Sequence, residues 1–176
     1  MHIRPLVIAF MSLCLTWVPS LGFADPIHEE QLSPQHRKDL AALRKATVPY
    51  HDFDAATQPG LWDTPITGCL SSNSGGMGEH FANLGNFGVH DPGRPQALLF
   101  EPERDGSMRL VGVEFIVVDG GTPGVVDSAP PPPLFGQSFH YVAAFDVWGL
   151  HVWAWRNNPL GMFADWNPMV SCQYAS

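Results

Sequence analysis

Charged residues, and basic ones above all, are scarce in this chain of 176 residues. They make up 15% of the sequence, whereas a soluble domain usually carries about 25%. The 9 Lys and Arg residues face 17 Asp and Glu residues, so the formal net charge is -8. Nucleic acids and anionic membrane surfaces attract an excess of positive charge, so the composition argues against both as partners.

Long hydrophobic runs are also missing. The apolar stretch Leu6–Val18 has 13 residues, whereas a membrane-spanning helix needs about 20. Arg4 precedes this stretch, and small residues follow it up to Ala24. This order is typical of a secretory signal peptide. We predict that residues 1–24 are removed before Asp25, which leaves a secreted or periplasmic protein with no stable membrane insertion.

Cysteine occurs only three times, and Cys14 lies within the predicted signal peptide. Cys69 and Cys172 remain, in a compartment that permits disulfides. A pair of metal-binding thiolates is the alternative, but neither cysteine lies in a CxxC or CxH arrangement. We therefore predict a disulfide that joins the C-terminal end of the chain to its middle.

Compact catalytic motifs are missing as well. The serines show no GxSxG pattern, and no HExxH pair is present. The glycine-rich segment Gly75–Gly78 lacks the lysine of a phosphate-binding loop. The sequence therefore assigns no reaction.

Glycine and proline are abundant, with 17 residues each, and 45% of the chain is hydrophobic. This composition excludes a bundle of long helices and wholesale disorder. Ser33 and Pro34 are typical of the N-cap and first turn of a helix, so we predict a helix over Gln35–Ala46. A further turn or two of helix is expected over Asp52–Gln58. The polar leader from Asp25 to Leu32 is expected to be poorly ordered.

Four β-strands are predicted after these helices, at Gln96–Phe100, Met108–Val118, Gln137–Phe145 and Val147–Trp155. An Asp-Gly turn between the first two indicates a hairpin. Gly68–Gly78 is rich in glycine and serine and is expected to be a loop. The predicted fold class is α+β, with a mainly antiparallel β-sheet core. We expect a sandwich or a partly open barrel with one or two short N-terminal helices.

The predicted domain organisation follows from these elements. Residues 25–46 form the polar leader and the N-terminal helix, and residues 47–176 form a single globular β-rich domain. Within it, residues 119–134 contain four consecutive prolines and are expected to be a stiff surface loop with polyproline II geometry.

Glu114 is the most unusual residue of the predicted strands. Period-two alternation places it on one face with Leu110, Gly112, Ile116 and Val118. The other face carries only valine and phenylalanine nearby, so both faces are expected to be buried. A buried carboxylate costs several kcal/mol unless it is paired, hydrogen-bonded or bound to a cation.

Two histidines have settings that suit such a partner. His80 closes a glycine-rich segment in which the backbone can approach another group closely, and His151 lies within an apolar strand. With Glu114 they form a two-His, one-carboxylate set that suits Zn, Fe or Mn. Soft ligands for Cu could come from Met77, Met162 or Met169. No compact motif links the three residues, so a structural Glu–His pair and unrelated positions remain alternatives.

Four tryptophans lie close together near the end of the chain: Trp148, Trp153, Trp155 and Trp166. Aromatic rows on a sheet can stack on sugar rings, but such residues more often belong to the core. We predict that they are core, with Trp153 and Trp155 on the same face as His151.

Several segments resemble a family of uncharacterised secreted bacterial proteins. The likeness covers residues 47–172 and rests on these motifs: Gly76–His80 (GMGEH), Leu110–Phe115 (LVGVEF), Leu134–Gly136 (LFG), Leu150–Trp155 (LHVWAW) and Asn158–Pro168 (NPLGMFADWNP). The resemblance implies a secreted single domain and no particular activity. A more distant similarity to cupins rests on the β-rich chain with two histidines and a glutamate. The chain lacks the His-x-His pair of cupins.

The leading functional prediction is a divalent-metal site formed by His80, Glu114 and His151, with or without catalysis. The expected partner is then a metal ion or a small molecule. A secreted ligand- or glycan-binding module and a structural protein without a small-molecule site are the alternatives.

Overall fold

A computed structural model describes residues 26–121 and 124–175. The predicted signal peptide at residues 1–24 lies outside the described residues. The chain is α+β, as the sequence predicts, and its six strands form one antiparallel sheet that curls into a half-barrel. Of the two predicted architectures, the partly open barrel is therefore the one observed. The described helices include none that is long and apolar enough to cross a membrane.

The helices are α1 (Pro34–Thr47) and α2 (Phe53–Ala56), and the strands are β1 (Thr64–Ser72), β2 (Gly75–Ala82), β3 (Ala97–Pro102), β4 (Met108–Val118), β5 (His140–Val142) and β6 (Val147–Val152). Short 3-10 turns occupy Glu29–Gln31, Val48–His51 and Leu84–Asn86. The strands lie in the order β1-β2-β3-β4-β6-β5. This order places β4, which carries Glu114, near the centre of the sheet.

Both predicted helices are confirmed, and their first residues explain where they begin. The Ser33 side chain accepts a hydrogen bond from the backbone N–H of His36, and the Asp52 side chain accepts one from Ala55. Each cap satisfies a backbone donor that has no partner within the helix. Leu40 and Leu43 of α1 are fully buried in the main core against the sheet.

The expectation of a poorly ordered leader is wrong for its described part, residues 26–32. The carboxylate of Glu29 forms a bidentate pair with the guanidinium of Arg44, at 2.9 and 2.8 Å. Leu32 is buried, and the carbonyl of Ile27 accepts a hydrogen bond from the Met162 N–H at 2.7 Å. These long-range contacts hold a segment whose local composition alone indicates disorder.

The expectation of a loop over Gly68–Gly78 is also wrong, because β1 and β2 form a hairpin there. The glycines serve a close approach by the C-terminal segment. The N–H of Gly76 donates to the carbonyls of Asn167 and Val170, and its carbonyl accepts from the Asn167 N–H. A Cβ at Gly75 or Gly76 would collide with this segment. The glycines of this segment are therefore there because the C-terminal backbone packs closely against them, and they do not indicate a loop.

The predicted disulfide is present between Cys69 and Cys172, whose Cα atoms lie 5.5 Å apart. It joins β1 to the C-terminal segment across 103 residues of sequence. Ser171, next to Cys172, donates its backbone N–H to the carboxylate of Glu101 on β3 at 2.8 Å. The end of the chain is therefore fixed to the sheet by a covalent bond and by hydrogen bonds.

The predicted hairpin is confirmed as β3 and β4, but it contains a β-bulge. Leu99 pairs with Gly112 and Phe100 pairs with Leu110, so Val111 is an additional residue on β4. As a result, Leu110 packs in the main core with Val113, and Val111 joins a smaller core on the opposite face. The expectation that Leu110 shares a face with Glu114 is therefore wrong.

The last two predicted strands are shorter than expected. The segment predicted at Gln137–Phe145 contributes only β5, and β6 ends at Val152. At that point the chain leaves the sheet, because the N–H of Trp153 bonds to the carbonyl of Met162 at 2.9 Å.

The proline-rich segment is held to the sheet at its beginning. Asp119 accepts hydrogen bonds from the backbone N–H groups of Asp127 and Ser128, from the Ser128 hydroxyl and from the Trp148 indole N–H. Residues 129–133 form no helix or strand.

Candidate metal centre

His80, Glu114 and His151 come from three strands of the same sheet. Glu114 on β4 and His151 on β6 are direct cross-strand partners, so their side chains emerge side by side on one face. His80 on β2 lies beyond β3, whose residue opposite Glu114 is the small Ala97. All three residues are buried, with 3%, 8% and 3% of their surfaces exposed. The structure therefore brings the three predicted residues together.

The donor atoms of these residues converge on one point. The Nε2 atoms of His80 and His151 are 3.5 Å apart. His80 Nε2 lies 3.5 Å from one carboxylate oxygen of Glu114, and His151 Nε2 lies 4.0 Å from the other. Tetrahedral ligands at zinc distances of about 2.0–2.2 Å lie about 3.3–3.6 Å from one another. The two separations that involve His80 fall in that range, whereas the separation of 4.0 Å is wider and goes to the other carboxylate oxygen of Glu114. With one donor atom from each residue, all three lie within 4.8 Å of one another. The group could therefore hold a metal ion.

The other ring nitrogen of each histidine faces away from this point. Thr67 Oγ1 lies 2.8 Å from His80 Nδ1. Asp165 Oδ1 lies 3.8 Å from His151 Nδ1, a separation too long for a hydrogen bond, and this buried nitrogen has no hydrogen-bond partner among the described residues. Groups at Nδ1 commonly orient histidines so that Nε2 faces a metal. Thr67 has this position at His80, and the carboxylate of Asp165 faces Nδ1 of His151 at the longer distance of 3.8 Å.

Burial and nearby charges act differently on the two imidazoles. Burial lowers the pKa of His80 to about 4, and His151 adds to this effect, although Glu114 opposes it. The ring of His80 is therefore neutral at physiological pH and keeps a lone pair for a metal. Burial also opposes a charge on His151, but the carboxylates of Glu114 and Asp165 outweigh it and raise the pKa of His151. Asp165 in turn has a lowered pKa, chiefly because of His151.

Gly149 leaves the space that the Glu114 side chain occupies. A Cβ atom at this position on β6 would lie 2.9 Å from Glu114 Oε1 and 3.5 Å from a methyl group of Val142. At such a distance one of the two groups has to shift, and the carboxylate at the end of the Glu114 side chain is the group that can move, so a larger residue would displace it. The location of the Glu114 carboxylate therefore depends on a glycine two residues before His151.

The three residues form part of the lining of a cavity of about 600 Å³. Most of its other walls are apolar, and they include Ile116, Val147 and Trp166. Ile66 and Phe145 also line it and are 41% and 55% exposed, so they mark its mouth. The volume falls within the range of about 300–1,000 Å³ that is typical of small-molecule sites.

Of the three methionines that could add a soft ligand, the structure places only Met77 at the cavity. Met162 is buried in the main core, and Met169 is half exposed. Neither of them lines the cavity, so the expectation that either could join the site is wrong.

The tryptophans are divided between different surroundings. Trp148 and Trp153 are buried, as predicted, and the ring of Trp153 stacks on that of His151 with an interplanar angle of 10°. Trp155 lies beyond the end of β6 and donates its indole N–H to Thr47 Oγ1 on α1, so the expectation that it shares a face with His151 is wrong. Trp166 is partly buried and lines the cavity. These rings do not form the exposed coplanar row that a sugar platform needs.

The sequence did not indicate that Thr67, His140 and Asp165 take part in the site. Thr67 lies immediately before the segment Gly68–Gly78 that was expected to be a loop, and Asp165 lies in the turn-rich tail. The carboxylate of Asp165 also lies 3.4 Å from His140 Nε2 on β5. No spacing pattern marks these positions, because each depends on how the sheet curls and where the tail docks.

Comparisons with protein-family models, with curated proteins and with solved structures found no match. The resemblance to a family of secreted bacterial proteins therefore stays a prediction from the sequence motifs, and the residues of the site carry the functional argument.

Proposed function

We propose that this protein is exported and binds a divalent metal ion through His80, Glu114 and His151. The observation that carries the proposal is the convergence of three buried donor atoms within 4.8 Å of one another. Two imidazoles and one carboxylate suit Zn, Fe(II) and Mn(II). Met77 at the cavity keeps Cu among the candidates.

A structural Glu–His pair explains less of this geometry. One histidine is enough to satisfy a buried carboxylate, whereas here two Nε2 atoms face each other at 3.5 Å beside the same carboxylate. The two Nε2 atoms lie at hydrogen-bond distance from each other, and a cation between them would bind both lone pairs and the carboxylate together. A cavity also borders the three side chains. A purely structural Glu–His pair needs no such cavity, whereas a metal ion needs space for a further ligand.

Three protein ligands leave at least one coordination position free for water or a small molecule. In this chain that position would face the cavity. A metal there would supply Lewis-acid chemistry, and the apolar walls would exclude bulk water from it. Thr67 would hold the ring of His80 in place through Nδ1.

Export rests on the predicted signal peptide at residues 1–24 and on the disulfide between Cys69 and Cys172. Disulfides form and persist in oxidising compartments. We infer a secreted or periplasmic location from these two features together.

A calorimetric zinc titration of protein purified without a polyhistidine tag tests the proposal. The test variant is Glu114→Gln, which keeps the side-chain shape and removes the charge. The control is Glu79→Gln, because Glu79 lies next to His80 on β2 but does not line the cavity. A third variant, Gly149→Ala, displaces the Glu114 carboxylate without removing any ligand.

We expect one zinc ion per chain for the unaltered protein and for Glu79→Gln. Glu114→Gln should bind zinc at least tenfold more weakly, and Gly149→Ala should fall between them, because perturbing a ligand's support typically costs 10–100-fold in metal affinity. A folded unaltered protein that binds no zinc, iron(II), manganese or copper would overturn the proposal. So would equal affinity in the Glu114→Gln and Glu79→Gln variants.

A further inference from the structure

The cavity next to the proposed metal centre combines two kinds of surface. Its buried part carries His80, Glu114 and His151, and its other walls are mostly aliphatic or aromatic. The exposed side chains of Ile66 and Phe145 continue the apolar surface to the mouth. A ligand that fills this space has to present a polar end to the centre and an apolar body to the walls.

We propose that this cavity binds small amphipathic carboxylates, with the carboxylate on the metal and the hydrocarbon body against the apolar walls. This inference rests on the proposed metal-binding function, and it names the ligand class of that same site.

The net charge of the metal with its three protein ligands favours a ligand whose head group is an anion. A divalent ion held by Glu114 and two neutral imidazoles keeps a net positive charge, which one carboxylate neutralises. The second carboxylate of the cavity, that of Asp165, lies 3.4 Å from His140 Nε2 and 3.8 Å from His151 Nδ1, on the side of His151 away from the proposed metal. An ammonium head group offers no lone pair to a metal, so an amine of the same length serves as a matched control.

The apolar walls predict that affinity grows with the length of the hydrocarbon. Burial of one methylene contributes about 0.8 kcal/mol, which corresponds to about a fourfold gain in affinity. Acetate, butanoate, hexanoate and octanoate should therefore bind in order of increasing affinity until the chain reaches the mouth. Acetate should bind most weakly, because it reaches none of the walls.

The test is calorimetric titration of the zinc-loaded protein with these four carboxylates and with octylammonium. The zinc titration of the protein alone is measured first, so that a failure of metal binding is seen separately. The test variant is Phe145→Ser, which removes an exposed ring at the mouth, and the control is Leu84→Ser. Leu84 is 63% exposed and does not line the cavity.

We expect octanoate to bind to the zinc-loaded protein at least tenfold more tightly than octylammonium, and at least tenfold more tightly than to the metal-free protein. Phe145→Ser should weaken octanoate several-fold and leave zinc affinity unchanged, whereas Leu84→Ser should change neither. Protein that binds zinc but not octanoate would overturn the ligand class and leave the metal site intact. Equal affinity for octanoate and octylammonium, or for acetate and octanoate, would also overturn it.

Discussion

Gly75→Ala is the substitution that tests most sharply how the C-terminal segment is held to the sheet. Gly75 begins β2 with a φ of +125°, and a Cβ there would lie 2.3 Å from the carbonyl carbon and oxygen of Asn167. These are backbone atoms, which cannot rotate away as the end of a side chain can. We therefore expect the methyl group to separate the segment that contains Asn167 from β2.

The cost follows from the hydrogen bonds that this separation breaks. The N–H of Gly76 donates to Asn167 and Val170 at 3.1 Å each, and its carbonyl accepts from Asn167 at 3.0 Å. At about 1 kcal/mol net for each bond, their loss amounts to about 3 kcal/mol. The positive φ adds roughly 1–3 kcal/mol of backbone strain for a non-glycine residue.

Gly60→Ala is the control that has the backbone strain of a positive φ without a collision of the added methyl group. Gly60 has a φ of +83°, but a Cβ there would meet no atom within 4 Å. Urea unfolding followed by tryptophan fluorescence should give Gly75→Ala a free energy of unfolding about 3 kcal/mol below that of Gly60→Ala. Equal values for the two variants would refute the reasoning, because the docked segment would then contribute nothing through these contacts.

Three further predictions concern other parts of the molecule. The exported protein should have no free thiol, and two thiols that can be alkylated without reduction would contradict the disulfide. Reduction of Cys69–Cys172 should lower the free energy of unfolding by about 4–5 kcal/mol, since the bridge closes a loop of 103 residues. Trp153→Ala should cost about 3–5 kcal/mol in urea unfolding because the ring is buried, whereas Tyr174→Ala at an exposed site should cost less than about 0.5 kcal/mol. The hydrogen bond from the Ser128 hydroxyl, together with backbone donors, lowers the pKa of Asp119 to about 2. The stabilising contribution of Asp119 is therefore fully present above the ordinary aspartate pKa of about 3.9, and it is lost as the pH falls towards about 2. Asp119→Asn should therefore reduce the loss of stability between these two pH values, and an unchanged acid profile would contradict this.

Local signals predicted the elements that depend on neighbouring residues. The cap at Ser33 and the proline after it fix the start of α1, and the Asp-Gly turn between β3 and β4 marks their hairpin. The alternation of β4 identified Glu114 as a buried carboxylate, and burial is confirmed because only 8% of its surface is exposed.

Features that depend on contacts distant in sequence could not be predicted in the same way. Gly75 and Gly76 look like loop residues, although they are strand residues that admit the C-terminal segment. The bulge at Val111 reverses the side chains before it, so strict alternation fails for Leu110. Asp165 reaches the site only because the tail folds back over the sheet.

The candidate metal site was predictable in its residue types and not in its geometry. Glu114 needs a partner wherever it is buried, and His151 is its cross-strand neighbour once β4 and β6 pair. That pairing skips β5, which lies at the edge of the sheet, and no sequence pattern indicates it. The approach of His80 across β3 depends on the curl of the sheet and on the small residue at Ala97.

Anomalous diffraction from crystals of the zinc-loaded protein, recorded on both sides of the zinc absorption edge, tests the central claim most directly. The account predicts one strong peak per chain, about 2.0–2.2 Å from His80 Nε2, His151 Nε2 and a carboxylate oxygen of Glu114. The absence of a peak between these three side chains, in crystals whose zinc content is verified by fluorescence, would contradict it.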